Sequence, residues 1–315
     1  MKNLREALAQ YVTVRRALGA RLAEPEGTLG RFVSFLEGEG SSRITTALAL
    51  RWAMAPPGVQ RATWARRLSM VRQFATWLSA FDPQTEVPPR RLLPSRRRRN
   101  RPYIFSDAEI ARLMTEAARL RSSTELGPLT YTTLIGLLVC TGLRPGEALA
   151  LDKSDVDLDS GILSIRQTKF GKSRFVPLDP SAREALQQYA ERRDALCAAP
   201  RSNAFFLSPR GKRLDGDTAR RVFATLSCAI GLRRMVGRRW GRGPRLQDFR
   251  HTFATRRLVE WHRAGLDVER ELPKLSTYLG HAEIGLTYWY IEAVPELLAL
   301  AAKRLGTARL PGGER

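Results

Sequence analysis

The chain has 315 residues, 43% of them hydrophobic, which is material for about two packed domains and excludes a disordered chain. No apolar run reaches the roughly 18 residues of a membrane span, and the opening stretch MKNLREALAQ carries no apolar signal region. Lys and Arg number 53 against 31 Asp and Glu, a formal net charge of +22; seven of the basic residues are lysine and 46 are arginine. So positive a field suits a polyanion, a nucleic acid or an anionic membrane surface, and arginine grips phosphate with two parallel hydrogen bonds. Cys140, Cys197 and Cys228 lie in apolar or mixed surroundings and read as reduced core residues of a cytoplasmic protein, not as a disulfide or zinc framework.

Residues 1–82 read as a helical bundle. Leu4, Leu8, Tyr11, Val12 and Leu18 follow helical spacing, and Leu29, Phe32, Val33 and Leu36 make a second stripe. Thr45 or Thr46 caps a third, short helix running through Trp52, and a fourth carries Trp64, Leu68, Val71, Phe74 and Leu78. Residues 83–102 are rich in Pro and Arg, lack apolar periodicity and read as a linker. Within it Arg96, Arg97, Arg98 and Arg99 repel one another unless an anion lies between them, which suits either a flexible solvated tether or contact with DNA.

A second domain is expected over 103–315. Ser106 with Asp107 and Glu109 marks a helix start, and Thr130 to Val139 is a strongly apolar helix. Strands are expected around Ile162–Ile165 and Arg174–Val176, joined through a turn at Phe170–Gly171. Beyond Pro177 the pattern reads as helical to the end. No phosphate-binding glycine loop occurs.

Four segments carry candidate chemistry. The first, TGLRPGEALAL, places Arg144 after a glycine turn and Glu147 three residues on; the second, KFGKSR, offers Lys169, Lys172 and Arg174 in a basic hairpin. The third, LQDFRHTFAT, opens an apolar helix with Gln247, Arg250 and His251. The fourth is LGH, ending at His281, with Tyr290 nine residues later. Each segment taken alone is also an ordinary surface or turn sequence. In this order and at this spacing, TGLRPGEALAL, RHTFAT and LGH with its following tyrosine resemble the tyrosine recombinase family, which includes phage integrases and chromosome-dimer resolvases. The wording TYWYIEAVPELLALAA further resembles integrases associated with transposons.

The resemblance implies a mainly α fold with a small antiparallel sheet: a helical core-binding domain followed by an α+β catalytic domain. It implies Tyr290 as nucleophile, Arg144 and Arg250 as clamps on the scissile phosphate, Lys169 (or Lys172) as acid to the departing 5′ oxygen, and His281 on the phosphate or the nucleophile. Glu147 would orient the basic groups; His251, beside Arg250, would face elsewhere on its helix. Tyr288, two residues before Tyr290, falls on a different side of a helix and reads as a packing residue. The implied partners are double-stranded DNA, further copies of the chain in a tetrameric synapse, and accessory recombination proteins; no cofactor, metal or membrane is implied. The family usually has histidine or lysine three residues before its second arginine. Here that position is Gln247, which hydrogen-bonds but shuttles no proton at neutral pH. The rival within the same fold is therefore a catalytically weak or accessory subunit of a multi-protein transposition system. A type IB topoisomerase and an architectural DNA-binding protein fit the motifs less well. The amphipathic stretch Glu296–Leu305 reads as a final helix that docks on its own domain or on a neighbouring copy.

Overall fold

A computed structural model describes residues 3–20, 22–94, 102–166, 173–237, 239–280 and 285, and the chain forms two compact units, 1–100 and 101–315. Among the described residues the first unit has four helices: α1 (Leu4–Ala17), α2 (Ala23–Gly38), α3 (Thr46–Met54) and α4 (Arg61–Leu78). Thr45 caps α3, its side chain accepting from Leu48 N at 3.2 Å, which satisfies one of the amides a helix start leaves open. The core gathers Leu29, Phe32, Leu36, Trp52, Leu68, Val71 and Phe74. Leu18 departs from the expected stripe. Helix α1 ends at Ala17, and Leu18 is its exposed C-cap.

The expected linker begins as part of this unit. Glu86 N donates to Ile44 O, the Glu86 carboxylate accepts from Thr46 N, and Arg72 donates to the carbonyls of Pro88 and Pro89. Thr85 is buried. Backbone groups at and just before the start of α3 and an arginine of α4 thus tie down residues that lack any periodic signal. Arg96, Arg97, Arg98 and Arg99 lie outside the described residues.

The second unit opens with α5 (Asp107–Ala118), started by the full capping box of Ser106 and Glu109. Helix α6 (Leu126–Thr141) is apolar on every side and sits at the centre, packed by α5, α8 (Pro180–Leu196) and α10 (Asp248–Arg263). After α7 (Pro145–Ala150) come the short strand β1 (Val156–Asp157), β2 (Ile162–Ile165) and β3 (Arg174–Pro177). They pair antiparallel in that order, with Leu163 opposite both Val156 and Val176 on the buried face. Among the described residues the unit also contains α9 (Gly216–Ala229), packed on α5 and α7, and α11 (Val268–Leu279), packed on α10 and β3.

The expectation of helix throughout the segment after Pro177 fails at two places. Between α8 and α9 the chain is irregular, with Phe205, Phe206 and Leu207 buried against Tyr189 and Thr130. Between α9 and α10 lies a hairpin, β4 (Met235–Val236) and β5 (Arg239–Trp240), turned at Gly237 with φ 59°. Glycines at 237, 241 and 243 break helical continuation there. The cysteines are not core residues: Cys140 is exposed, Cys197 and Cys228 are half-buried, and all three are free thiols.

Candidate active site

Two helices in the second unit end in the same way. Helix α6 stops at Gly142 (φ 61°) and α11 at Gly280 (φ 67°), each a left-handed cap that only glycine adopts without strain. Neighbours forbid a side chain as well: a Cβ at Gly142 would fall 2.6 Å from Phe253 Cδ1, and one at Gly280 would fall 2.8 Å from Arg174 Nη1. Such ends expose carbonyls carrying the negative pole of the helix, and they attract cations.

Three arginines occupy these ends. Arg174 donates through Nε to Tyr278 O (2.8 Å), Arg250 through Nη2 to Leu279 O (2.6 Å), and Arg144 through Nη2 to Gly280 O (3.2 Å). Three successive carbonyls of α11 are thus each taken by a different guanidinium. Arg250 also donates through Nη1 to Gly142 O (3.1 Å), so it bridges the ends of α6 and α11.

Each arginine is placed by its own local sequence. Arg144 precedes Pro145, which forces it into extended backbone (φ −67°, ψ 139°) and turns it off the axis of α7. Arg250 lies on α10 four and eight residues before the buried Ala254 and Leu258, on the face that enters the core. It is 1% exposed. Arg174 shares the inward face of β3 with Val176, two residues on.

Glu147 makes the cluster electrically tolerable. Its Oε1 accepts from Arg144 Nη1 (2.7 Å) and Arg174 Nη1 (3.3 Å), and its Oε2 from Arg174 Nη2 (2.8 Å) and Arg144 N (3.1 Å). Burial pushes this carboxyl upward, but the Arg174 and Arg144 bonds and charge outweigh burial and hold its pKa below the ordinary value. It is therefore a carboxylate at neutral pH, wedged between two guanidiniums.

Other expected residues fall around this centre. Gln247 is the half-buried N-cap residue of α10 and lines a cavity of about 630 Å³ with Pro145, Gly146, Arg221, Trp240 and Arg245. His251 lies 3.8 Å from Asp248 (Nε2–Oδ1). Burial lowers its pKa to about 4, so it is neutral at pH 7. Tyr278 has a phenol that burial pushes up to about 12, the wrong direction for a nucleophile. Arg174, expected as a contact for DNA, is directed inward onto Glu147, with 11% of its side chain exposed. Sequence reasoning missed its part in the cluster; the alternation with Val176 was the available signal. Lys169, Lys172, His281, Tyr288, Tyr290 and Glu296–Leu305 lie outside the described residues.

The sequence model of the phage integrase family matches residues 104–296, which includes every element of this cluster. The chain belongs to that family. An integrase/recombinase of Sinorhizobium fredii, provisionally named y4rB, is 46% identical over 309 residues, covering 97% of this chain and 98% of its own length. The tyrosine recombinase XerC of Mycobacterium bovis is 31% identical over 281 residues, covering 87% and 88%. Among solved structures, the integrase of transposon Tn1549 in complex with transposon right-end DNA superposes with a TM-score of 0.67 at 17% identity, over 96% of this chain and 99% of that one. That likeness shows the fold: mainly helical with small antiparallel sheets. With these relatives, the chain is an enzyme of the tyrosine recombinase class.

Proposed function

We propose that this integrase-family chain cleaves and rejoins double-stranded DNA at a specific site for a mobile element, through a 3′-phosphotyrosine intermediate. The observation that carries the reading is the meeting of Arg144 and Arg174 at one carboxylate and of Arg144, Arg174 and Arg250 at the ends of two helices. Exchange of one phosphate ester for another crowds negative charge on the non-bridging oxygens. Fixed cations stabilise that charge without reorganising at the moment of reaction.

In this reading the phenolic oxygen of Tyr290 attacks phosphorus and loses its proton to water, since Gln247 stands where the family usually has a base. The 5′ oxygen departs and takes a proton from Lys169, or from Lys172 in its place. Arg144 and Arg250 hold the phosphate, and His281 hydrogen-bonds it. The phosphotyrosine keeps the ester, so a 5′ hydroxyl can reverse the step with no nucleotide cofactor. Arg96 to Arg99 contact the DNA backbone. Four copies join two DNA sites, with accessory proteins where the element encodes them, in the cytoplasm at the nucleoid.

The test is a nicked duplex carrying the sequence that flanks the gene, in which loss of a short 5′ fragment traps the intermediate. The wild-type chain should form an adduct stable to detergent, and Tyr290→Phe should form none. An adduct with Tyr290→Phe refutes the nucleophile. A second reading, a subunit that binds DNA but cleaves poorly, is favoured by Gln247, which cannot act as a base. Retained DNA binding with no wild-type adduct selects it.

A further inference from the structure

The hairpin between α9 and α10 is the part of the second unit that the strand-transfer reading leaves without a task. Residues 231–247 contain six arginines and no acidic residue. The hairpin is firmly built at its base. Arg233 donates through Nη1 to Gly241 O (3.0 Å) and through Nη2 to Pro244 O (2.5 Å), and Gly241 N donates to Arg234 O (2.9 Å). Leu246 is buried, and Arg245 N donates to the Asp248 carboxylate (2.7 Å) at the start of α10.

The outer surface is different in kind. Arg234, Arg239 and Arg242 are exposed, and none has a side-chain hydrogen bond or ion pair among the described residues. Beside them Met235 is 48% exposed, Val236 69% and Trp240 40%. Met235 pairs with Trp240 and Val236 with Arg239, so each hairpin face carries apolar surface, and the second adds a guanidinium. The cavity under Trp240 runs to Gln247 and Pro145–Gly146, next to the Arg144 turn. Its one acidic residue, Asp217, is paired with Arg220. Three exposed guanidiniums without an acidic partner among the described residues, beside a cavity also lined by Arg220, Arg221, Arg233 and Arg245, fit a polyanion better than another protein surface.

We propose that the β4–β5 hairpin is a separate DNA contact. Arg234, Arg239 and Arg242 bind backbone phosphates of the duplex beside the cleaved one, and the apolar residues lie against its sugars. The proposal rests on the strand-transfer reading, and its test can fail independently of it.

The probe is a 30-base-pair duplex of arbitrary sequence, with affinity followed by fluorescence anisotropy across potassium chloride concentrations. Each phosphate contact contributes about 0.9 to the slope of log affinity on log salt. The R234Q/R239Q/R242Q variant should lose about 2–3 of that slope, equivalent to about 40-fold less salt sensitivity between roughly 50 and 200 mM. A control, R121Q/R201Q/R210Q, removes the same charge at exposed arginines elsewhere in the second unit and should lose less than about 1. A hairpin variant whose slope stays within 1 of wild type overturns the proposal, as do equal losses in both variants. Unchanged slope with altered sedimentation overturns it in favour of a protein partner. Wild-type adduct formation, measured separately, decides the strand-transfer reading whatever the slopes show.

Discussion

Replacing Glu147 by glutamine keeps the shape of the side chain and removes the charge that holds two guanidiniums together. The Arg174–Glu147 pair is nearly enclosed, with 11% and 9% of the side chains exposed, while Arg144 is 32% exposed. Removing one partner of a buried pair costs about 3–5 kcal/mol. The more exposed Arg144 arm adds no more than about 1 kcal/mol. Glutamine retains one acceptor, so the lower end, about 3 kcal/mol, is the expected loss. For a unit of this size that lowers the melting temperature by about 6–12 °C, which differential scanning calorimetry at pH 7 reads directly. The sign with pH is also fixed. The folded pKa of Glu147 lies below its ordinary 4.5, so its stabilisation is complete above that value and is lost as pH falls through the folded one. The gap between wild type and Glu147→Gln should therefore narrow in acid. A variant melting within about 2 °C of wild type at pH 7, or a gap that widens in acid, refutes the account of Glu147 as the cluster's electrostatic pin.

Gly142→Ala forces alanine into φ 61° and drives a methyl to 2.6 Å from Phe253 Cδ1. Strain and overpacking together should cost about 2–5 kcal/mol, measured as a lower urea midpoint, and an unchanged midpoint refutes the cap argument. His251, with its pKa lowered from 6.5 to about 4, is protonated first in the unfolded chain. Stability should fall by about 3 kcal/mol as pH drops between those values, a loss that His251→Asn abolishes; parallel curves for the two proteins contradict the burial. Gln247→His should raise the initial rate of adduct formation on the nicked duplex by about 10-fold or more. An unaltered rate means that the missing base was not limiting.

The recombinase-like reading of Arg144, Glu147 and Arg250 depended on local signals, and local physics also places them. A glycine cap, a pre-proline position and a helix face with period near four are all written in adjacent residues. Arg174 was legible as a strand residue but not as Glu147's partner, because that meeting joins β3 to α7 across 27 residues of sequence. The fixed start of the linker escaped for the same reason: its partners, Ile44, Thr46 and Arg72, are distant in sequence. The β4–β5 hairpin was misread as helix because a two-residue strand is too short for alternation to register. Leu18 shows the opposite error, in which periodicity ran one residue past the end of its helix.

The seizure of Tyr278, Leu279 and Gly280 by three guanidiniums gives the following chain a fixed starting point. Tyr290 stands ten residues beyond Gly280, a contour of at most about 36 Å. Whatever course that stretch takes, it starts from the cations to which the proposed mechanism brings Tyr290. Any shift of that start is felt by all three at once.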